Sequence, residues 1–183
     1  ERGYQPEGIF AIDTRAGIKH LRVPQEGDIS VNMGQVVDEM EEIEVIHNGR
    51  SWNGFNISVG NPHAVVFVDS LDEVGSLAQA PTVNPPSSYP EGVNVEFVEL
   101  TGANEAKMRV HERGVGETRS CGTGTCAVAL AASLHCKQTL PAVWTIYPPG
   151  GRLIVDLDGH FNATLIGPAV LIKDYDISGY LTP

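Results

Sequence analysis

The chain has 183 residues, 42% of them hydrophobic and 19% charged, with a formal net charge of −11. That length covers one large or two small domains, and the composition supports a buried core rather than disorder. An acidic chain with a pI near 4.8 and no basic stripe is not built to neutralise phosphates, so nucleic acid is excluded as a partner.

In chain order, short apolar runs predict strands at Ile9–Thr14, Ile18–Val23, Asp28–Asn32, Glu42–His47, Phe55–Val59 and Ala64–Val68. A short helix is predicted over Asp69–Leu77, and the proline-rich tract Ala80–Gly92 reads as a surface loop. Strands resume at Val93–Leu100 and Glu105–Glu112. The second predicted helix, Thr123–Lys137, is rich in Ala and Leu and apolar nearly all round, so protein must surround it. Val143–Tyr147, Leu153–Leu157, Phe161–Ile166 and Ala169–Tyr175 complete the strands. Turn chemistry separates many of them, at Arg15-Ala16-Gly17, Asn48-Gly49, Pro148–Gly151 and Asp158-Gly159. Many antiparallel strands with one buried helix predict an α+β fold in which a barrel-like sheet wraps the helix.

The longest strongly apolar stretch, Cys126–Leu134, falls far short of the ~20 residues of a membrane-spanning helix, so no membrane partner is expected. Three cysteines do not make a disulfide framework, and a reducing, cytoplasmic setting is expected.

The chemistry gathers at Cys121, in the run SCGTGTCA. It stands directly before the apolar helix, where unpaired N–H groups and the helix dipole favour negative charge. A lowered thiol pKa is expected there, with the N–H groups of Gly122 and Thr123 as a cradle for a substrate carboxylate. Gly122 and Gly124 are expected to let backbone approach the ligand. Cys121 and Cys126 give a C-x4-C spacing that matches no common zinc or iron–sulfur site, and no metal is expected. The glycines are not a nucleotide loop, since they contain no Gly-Lys-Ser/Thr and do not open a strand–GxGxxG–helix turn.

Three further polar clusters are hard to explain by packing. Asn61 precedes Pro62 and is thereby biased to an extended backbone; His63 follows at the head of an apolar run. Asn94 opens a strand, and Glu112-Arg113 closes another, the guanidinium being a natural fork for a carboxylate.

Taken together, GNPHAVVFVD (Gly60–Asp69), PEGVNVEF (Pro90–Phe97) and HERGVGETRSCGTGTCA (His111–Ala127) resemble diaminopimelate epimerase, as do SVNMG and the PGG at Pro149–Gly151. The resemblance implies a cofactor-independent isomerase interconverting LL- and meso-diaminopimelate, in lysine and peptidoglycan synthesis, through a thiolate and a thiol on opposite faces of the α-carbon. By motif, Cys121 matches the second cysteine of that pair. Asn61, Asn94, Glu112, Arg113, Gly122 and Thr123 match substrate-binding positions, and His63 and Glu112 match residues that tune the cysteine pKa values. The family's two-domain organisation implies that residues 1–33 are a remnant of an N-terminal domain, 34–168 the C-terminal domain and 169–183 a tail returning to the first. It also implies a homodimer.

The family's Cys-Gly-Asn-Gly run is absent from this sequence, and Glu1–Tyr4 reads as the end of the helix that run would open. The expectation is a piece that lacks its second acid/base and is inactive alone. The nearest alternatives are a proline racemase or hydroxyproline epimerase, which also carries a CGTGT run, and a non-catalytic amino-acid-binding module. A redox thiol protein is disfavoured, because Cys126 in the same helix is badly placed to resolve Cys121.

Overall fold

The computed structural model describes residues 7–14 and 17–170. The strands are β1 (Gly8–Thr14), β2 (Gly17–Val23), β3 (Ile29–Gln35), β4 (Val37–His47), β5 (Arg50–Ser58), β6 (Pro62–Phe67) and β7 (Thr82–Asn84). After them come β8 (Asn94–Gly102), β9 (Glu105–Glu112), β10 (Gly116–Thr118), the helix α1 (Gly122–His135), β11 (Ala142–Tyr147), β12 (Leu153–Leu157) and β13 (Asn162–Gly167). They form one sheet in the order β1-β2-β3-β13-β12-β11-β9-β8-β6-β5-β4-β7, with β10 on the side of β9.

Only Val36 separates β3 from β4, so the run from β3 round to β4 begins and ends in one stretch of chain. The Val36 N–H donates to the Phe161 carbonyl at 2.8 Å and fastens that junction. The sheet therefore curls on itself, with α1 inside. Every residue of α1 from Gly124 to Ser133 is buried, against side chains of β5, β6, β8, β11, β12 and β13. An α+β fold with sheet around a buried helix is what the apolar circumference of α1 demanded.

The sheet is mixed rather than purely antiparallel. β6 and β8 run parallel, from the pair His63–Asn94 to Phe67–Val98, and so do β9 and β11. Parallel neighbours need a crossover, and α1 itself makes the one between β9 and β11. A second core lies on the outer face of β6, where Ala64 and Val66 meet Ile43, Val74, Leu77 and Phe97. Val65 points the other way, into the core around α1. Burial on both faces explains why this strand reads as a continuous apolar run.

Other expectations shift in detail. The helix predicted over Asp69–Leu77 contracts to one 3₁₀ turn, Leu71–Val74, capped by the Ser70 hydroxyl and stopped at Gly75, whose φ is 70°. The loop Ala80–Gly92 contains β7, an edge strand on β4 flanked by prolines that never have to donate into the ladder. β4 extends back to Val37 through an irregularity between Asp38 and Glu42. Asn48 and Gly49 both take positive φ, 48° and 75°, and close a two-residue hairpin between His47 and Arg50. Ala169 and Val170 are not in a strand, and the rest of Ala169–Tyr175 lies outside the described residues, as do Glu1–Tyr4 and part of the Arg15-Ala16-Gly17 turn.

Gly54 tests the closeness of this packing. A Cβ there would stand 2.8 Å from Val66 Cγ1 and 2.9 Å from the Val65 carbonyl oxygen. Gly54→Ala is expected to lower the free energy of unfolding by about 1–3 kcal/mol, read from urea melts.

Candidate active site

The segment leading into α1 is fixed from both sides. Gly150 N–H donates to the Arg119 carbonyl at 2.6 Å, and a Cβ on Gly150 would stand 2.9 Å from that same oxygen. Thr118 hydroxyl donates to the Glu112 carboxylate across the β9–β10 hairpin. The chain then delivers Cys121 to the N-cap of α1, with φ −132° and ψ 113°.

The Cys121 sulfur does the work of a capping oxygen, accepting the Gly124 N–H at 3.4 Å. Its own carbonyl accepts the Thr125 N–H at 2.9 Å and hydroxyl at 2.8 Å. The N–H groups of Gly122 and Thr123 fall in the first turn, where no helical carbonyl stands behind them.

The lowered pKa expected for Cys121 is reversed in the structure. The residue is 7% exposed, and burial pushes its thiol up to about 11. The Thr123 hydroxyl and the Gly124 N–H pull the other way, while the carboxylates of Glu96 and Glu112 add to the rise. Desolvation outweighs these two hydrogen bonds, so the resting sulfur carries its proton at neutral pH.

Thr123, Asn61 and His63 follow this thiol in series, while Asn94 and Arg113 pair with each other. Cys121 Sγ lies 3.5 Å from Thr123 Oγ1, which accepts from Asn61 Nδ2 at 3.3 Å. Asn61 Oδ1 is 3.2 Å from His63 Nε2. Asn94 is buried and its Oδ1 accepts the Arg113 N–H at 3.0 Å, so this side chain holds the backbone that presents the guanidinium. Arg113 stays partly exposed, its Nη1 3.4 Å from the Gly92 carbonyl and 3.8 Å from the Glu91 carboxylate. His63 and Glu112 make no hydrogen bond to Cys121 itself; Glu112 acts on it through charge.

Glu96 was not among the predicted residues. It is fully buried, and its Oε1 meets His63 Nδ1 at 2.7 Å. Its Oε2 has no hydrogen-bond partner. The signal for it was a charge at an inward position of the apolar strand Val93–Val98. Glu96 also explains Gly124, where a Cβ would stand 2.5 Å from Glu96 Oε1. Gly122 is covered by Leu165, 3.2 Å from the position of a Cβ. Both glycines thus make room for the protein's own side chains.

Two clefts flank the cluster. One of about 610 Å³ is bordered by Gly60, Asn61 and Pro62, with Glu39, Glu41 and Tyr89 opposite. The other, about 390 Å³, is bordered by Gly92, His111 and Arg113.

A family model described as diaminopimelate epimerase matches residues 55–172. The diaminopimelate epimerase of Streptomyces coelicolor is 42% identical, over 94% of this chain and 61% of its own length. That of Acidothermus cellulolyticus is 38% identical, over 95% of this chain and 57% of its own. The chain thus spans about three-fifths of the length of the curated relatives it matches. Among solved structures, a probable proline racemase from Agrobacterium radiobacter with bound carbonate superposes with a TM-score of 0.64 at 17% identity, covering 96% of this chain and 64% of that one. A hydroxyproline epimerase from Agrobacterium vitis with bound trans-4-OH-L-proline gives 0.64 at 15% identity, covering 89% and 57%. At those identities the structural likeness speaks for the fold.

Alkylation followed by peptide mass spectrometry should find exposed Cys136 modified first at neutral pH. The rate at Cys121 should climb about tenfold per pH unit with no plateau below pH 10, since the thiolate fraction grows that way until the pKa is approached. A plateau near pH 7 would mean that the helix end dominates after all.

Proposed function

Because this chain belongs to the diaminopimelate epimerase family, we propose that Cys121 is one of two acid/bases that invert the α-carbon of diaminopimelate between its LL and meso forms. The supporting observation is the position of its sulfur: at the N-cap of a buried helix, protonated by its surroundings, beside the free N–H groups of Gly122 and Thr123.

In this reading the reacting carboxylate sits on those two N–H groups. A base on the far face takes the α-proton, and charge builds up on Cα and the carboxylate, where the helix end stabilises it. Cys121 then gives its S–H proton to the near face and is left as thiolate. The reverse reaction uses the same groups in exchanged roles. Asn61, Asn94, Glu112 and Arg113 hold the polar groups of the substrate, and His63 and Glu112 adjust the sulfur. Water exclusion and fixed dipoles carry the stabilisation, with no cofactor invoked.

The far base is not one of the other two cysteines. Cys126 is buried inside α1, and Cys136 is exposed beyond its far end. We assign that base to a second domain, and the sheet closed around α1 by β3 and β13 is the domain that carries Cys121. Ile9 and Ile18 on the β1–β2 hairpin, 75% and 66% exposed, favour such a neighbour. A homodimeric, cytoplasmic enzyme completes the proposal.

In the intact protein, Cys121→Ala should cut epimerisation by roughly 10²–10⁴-fold. Retained turnover would overturn the acid/base role of Cys121, whereas a parent protein that binds diaminopimelate without turning it over would leave an amino-acid-binding module. Parallel assays with proline decide against the proline racemase alternative if only diaminopimelate turns over. The 183-residue chain alone, incubated with diaminopimelate in heavy water, should not epimerise it; normal inversion would refute the need for a second domain.

A further inference from the structure

Glu112 bears on Cys121 through its charge, so its effect depends on where its carboxylate is held. Among the described residues that carboxylate has one hydrogen-bond partner, the hydroxyl of Thr118, which donates to Oε1. The roles in this bond are fixed, because an ionised carboxylate only accepts. Glu112 and Thr118 are both half-buried. A glutamate at the end of a strand, with several rotatable bonds and water within reach, does not stay in one place without such a partner.

The β9–β10 register explains why Thr118 is that partner. Gly116 pairs with Glu112 and Thr118 with Val110, so Thr118 lies diagonal to Glu112 on one face of the hairpin. It is the face toward α1, since Met108 and Val110 on it belong to the core around that helix. Glu117 points the other way, where the Arg109 guanidinium holds it through Nε at 2.7 Å and Nη2 at 3.1 Å. The three-residue strand β10 is thereby pinned on both faces. The chain beyond it is pinned as well, by the Gly150 N–H on the Arg119 carbonyl at 2.6 Å and by Arg119 Nη2 on the Pro149 carbonyl at 3.2 Å. Cys121 follows directly after Ser120. One short, fixed stretch thus sets where the sulfur stands and where the Glu112 charge stands.

We propose that Thr118 is a positioning residue: its hydroxyl holds Oε1 of Glu112 so that the carboxylate stays beside Cys121 and offers Oε2 to the substrate. This rests on the roles given above to Cys121 and Glu112. Thr118 acts through Glu112 and makes no hydrogen bond to the sulfur, whose partners are Thr123 and Gly124.

Two carboxylates bear on Cys121, those of Glu96 on β8 and Glu112 on β9, and both disfavour its thiolate; Cys126 on α1 is the other titratable neighbour. Glu96 is fully buried against His63, so Glu112 is the one that can withdraw. When Thr118 loses its hydroxyl, the Glu112 carboxylate replaces a protein donor with water and moves away from the sulfur. Thiolate then forms more easily.

The first readout needs no substrate, so it fails separately from the epimerase reading. It is the alkylation rate of Cys121 at pH 8.5 in the 183-residue chain, with exposed Cys136 as the internal control. Withdrawing the charge should raise the thiolate fraction about threefold; the more acidic thiolate is a weaker nucleophile, so the rate should rise about twofold. Thr118→Val keeps the branched shape and should show that rise, whereas Thr118→Ser keeps the hydroxyl and should match the parent. Glu112→Gln removes the charge itself and should rise at least as much, and Thr118→Val should add nothing on that background. An unchanged or slower Cys121 in Thr118→Val overturns the proposal. So does a further rise in the double variant, because a merely loosened β10 would expose Cys121 whatever stands at 112. Should Thr118→Val not fold, Thr118→Ala removes the same hydroxyl and is judged by the same twofold rise.

The second readout is turnover in the intact protein. Thr118→Val should cut kcat/KM for diaminopimelate about tenfold, and Thr118→Ser should hold it within about twofold of the parent. Equal losses in the two variants would assign the effect to shape rather than to the hydroxyl and overturn the proposal. A parent without turnover refutes the epimerase reading instead, and the alkylation rates then decide on Thr118 by themselves.

Discussion

The whole structure depends on burying a helix that has no polar side. α1 offers no face to water, so sheet must enclose it, and the enclosure closes because β3 and β4 are one bent stretch hinged at Val36. Routing the chain from β9 through α1 to β11 makes those two strands parallel neighbours. What a buried helix cannot hide is its first turn. The N–H groups there need partners, and the site is built from what the fold brings to them: the Cys121 sulfur, the Thr123 hydroxyl and the Glu96 carboxylate.

Cys121 is thus subject to two opposed influences with the same origin. The helix end and its capping N–H favour thiolate, whereas the enclosure that creates that end removes water. Burial is the larger, and the thiol rises to about 11. For the role proposed for Cys121, donating a proton to a carbanion, this is an advantage: the proton stays on sulfur until a stronger base forms. A freely ionised thiolate at the same place would be suited only to the opposite half of the reaction.

The sequence revealed what depends on neighbours along the chain. The apolar periodicity of Thr123–Lys137 located α1 to within two residues, and Asn48-Gly49 announced a hairpin that the positive φ values require. Motif resemblance picked out Asn61, His63, Thr123 and Cys121, which the structure links in one chain of contacts. Features set by distant partners were not legible. The parallel pairing of β6 with β8 depends on residues about thirty positions apart. The segment Asp69–Leu77 has helical composition, yet Gly75 ends the turn early and Leu77 is drawn into the second core. The direction of the Cys121 shift was missed for the same reason, since sequence shows a helix end but not the depth at which it lies.

Gly124 is required by the protein's own packing. A glycine beside a reactive cysteine suggests an open approach for ligand backbone. Here the space it leaves is occupied by Glu96 Oε1, and the neighbouring space at Gly122 is limited by Leu165. Glu96 in turn is tolerable in the interior only because His63 and the first turn of α1 both meet it. The glycine, the carboxylate and the imidazole are therefore one unit. Any side chain at 124 would have to displace the carboxylate, and a displaced carboxylate would no longer hold His63 in place.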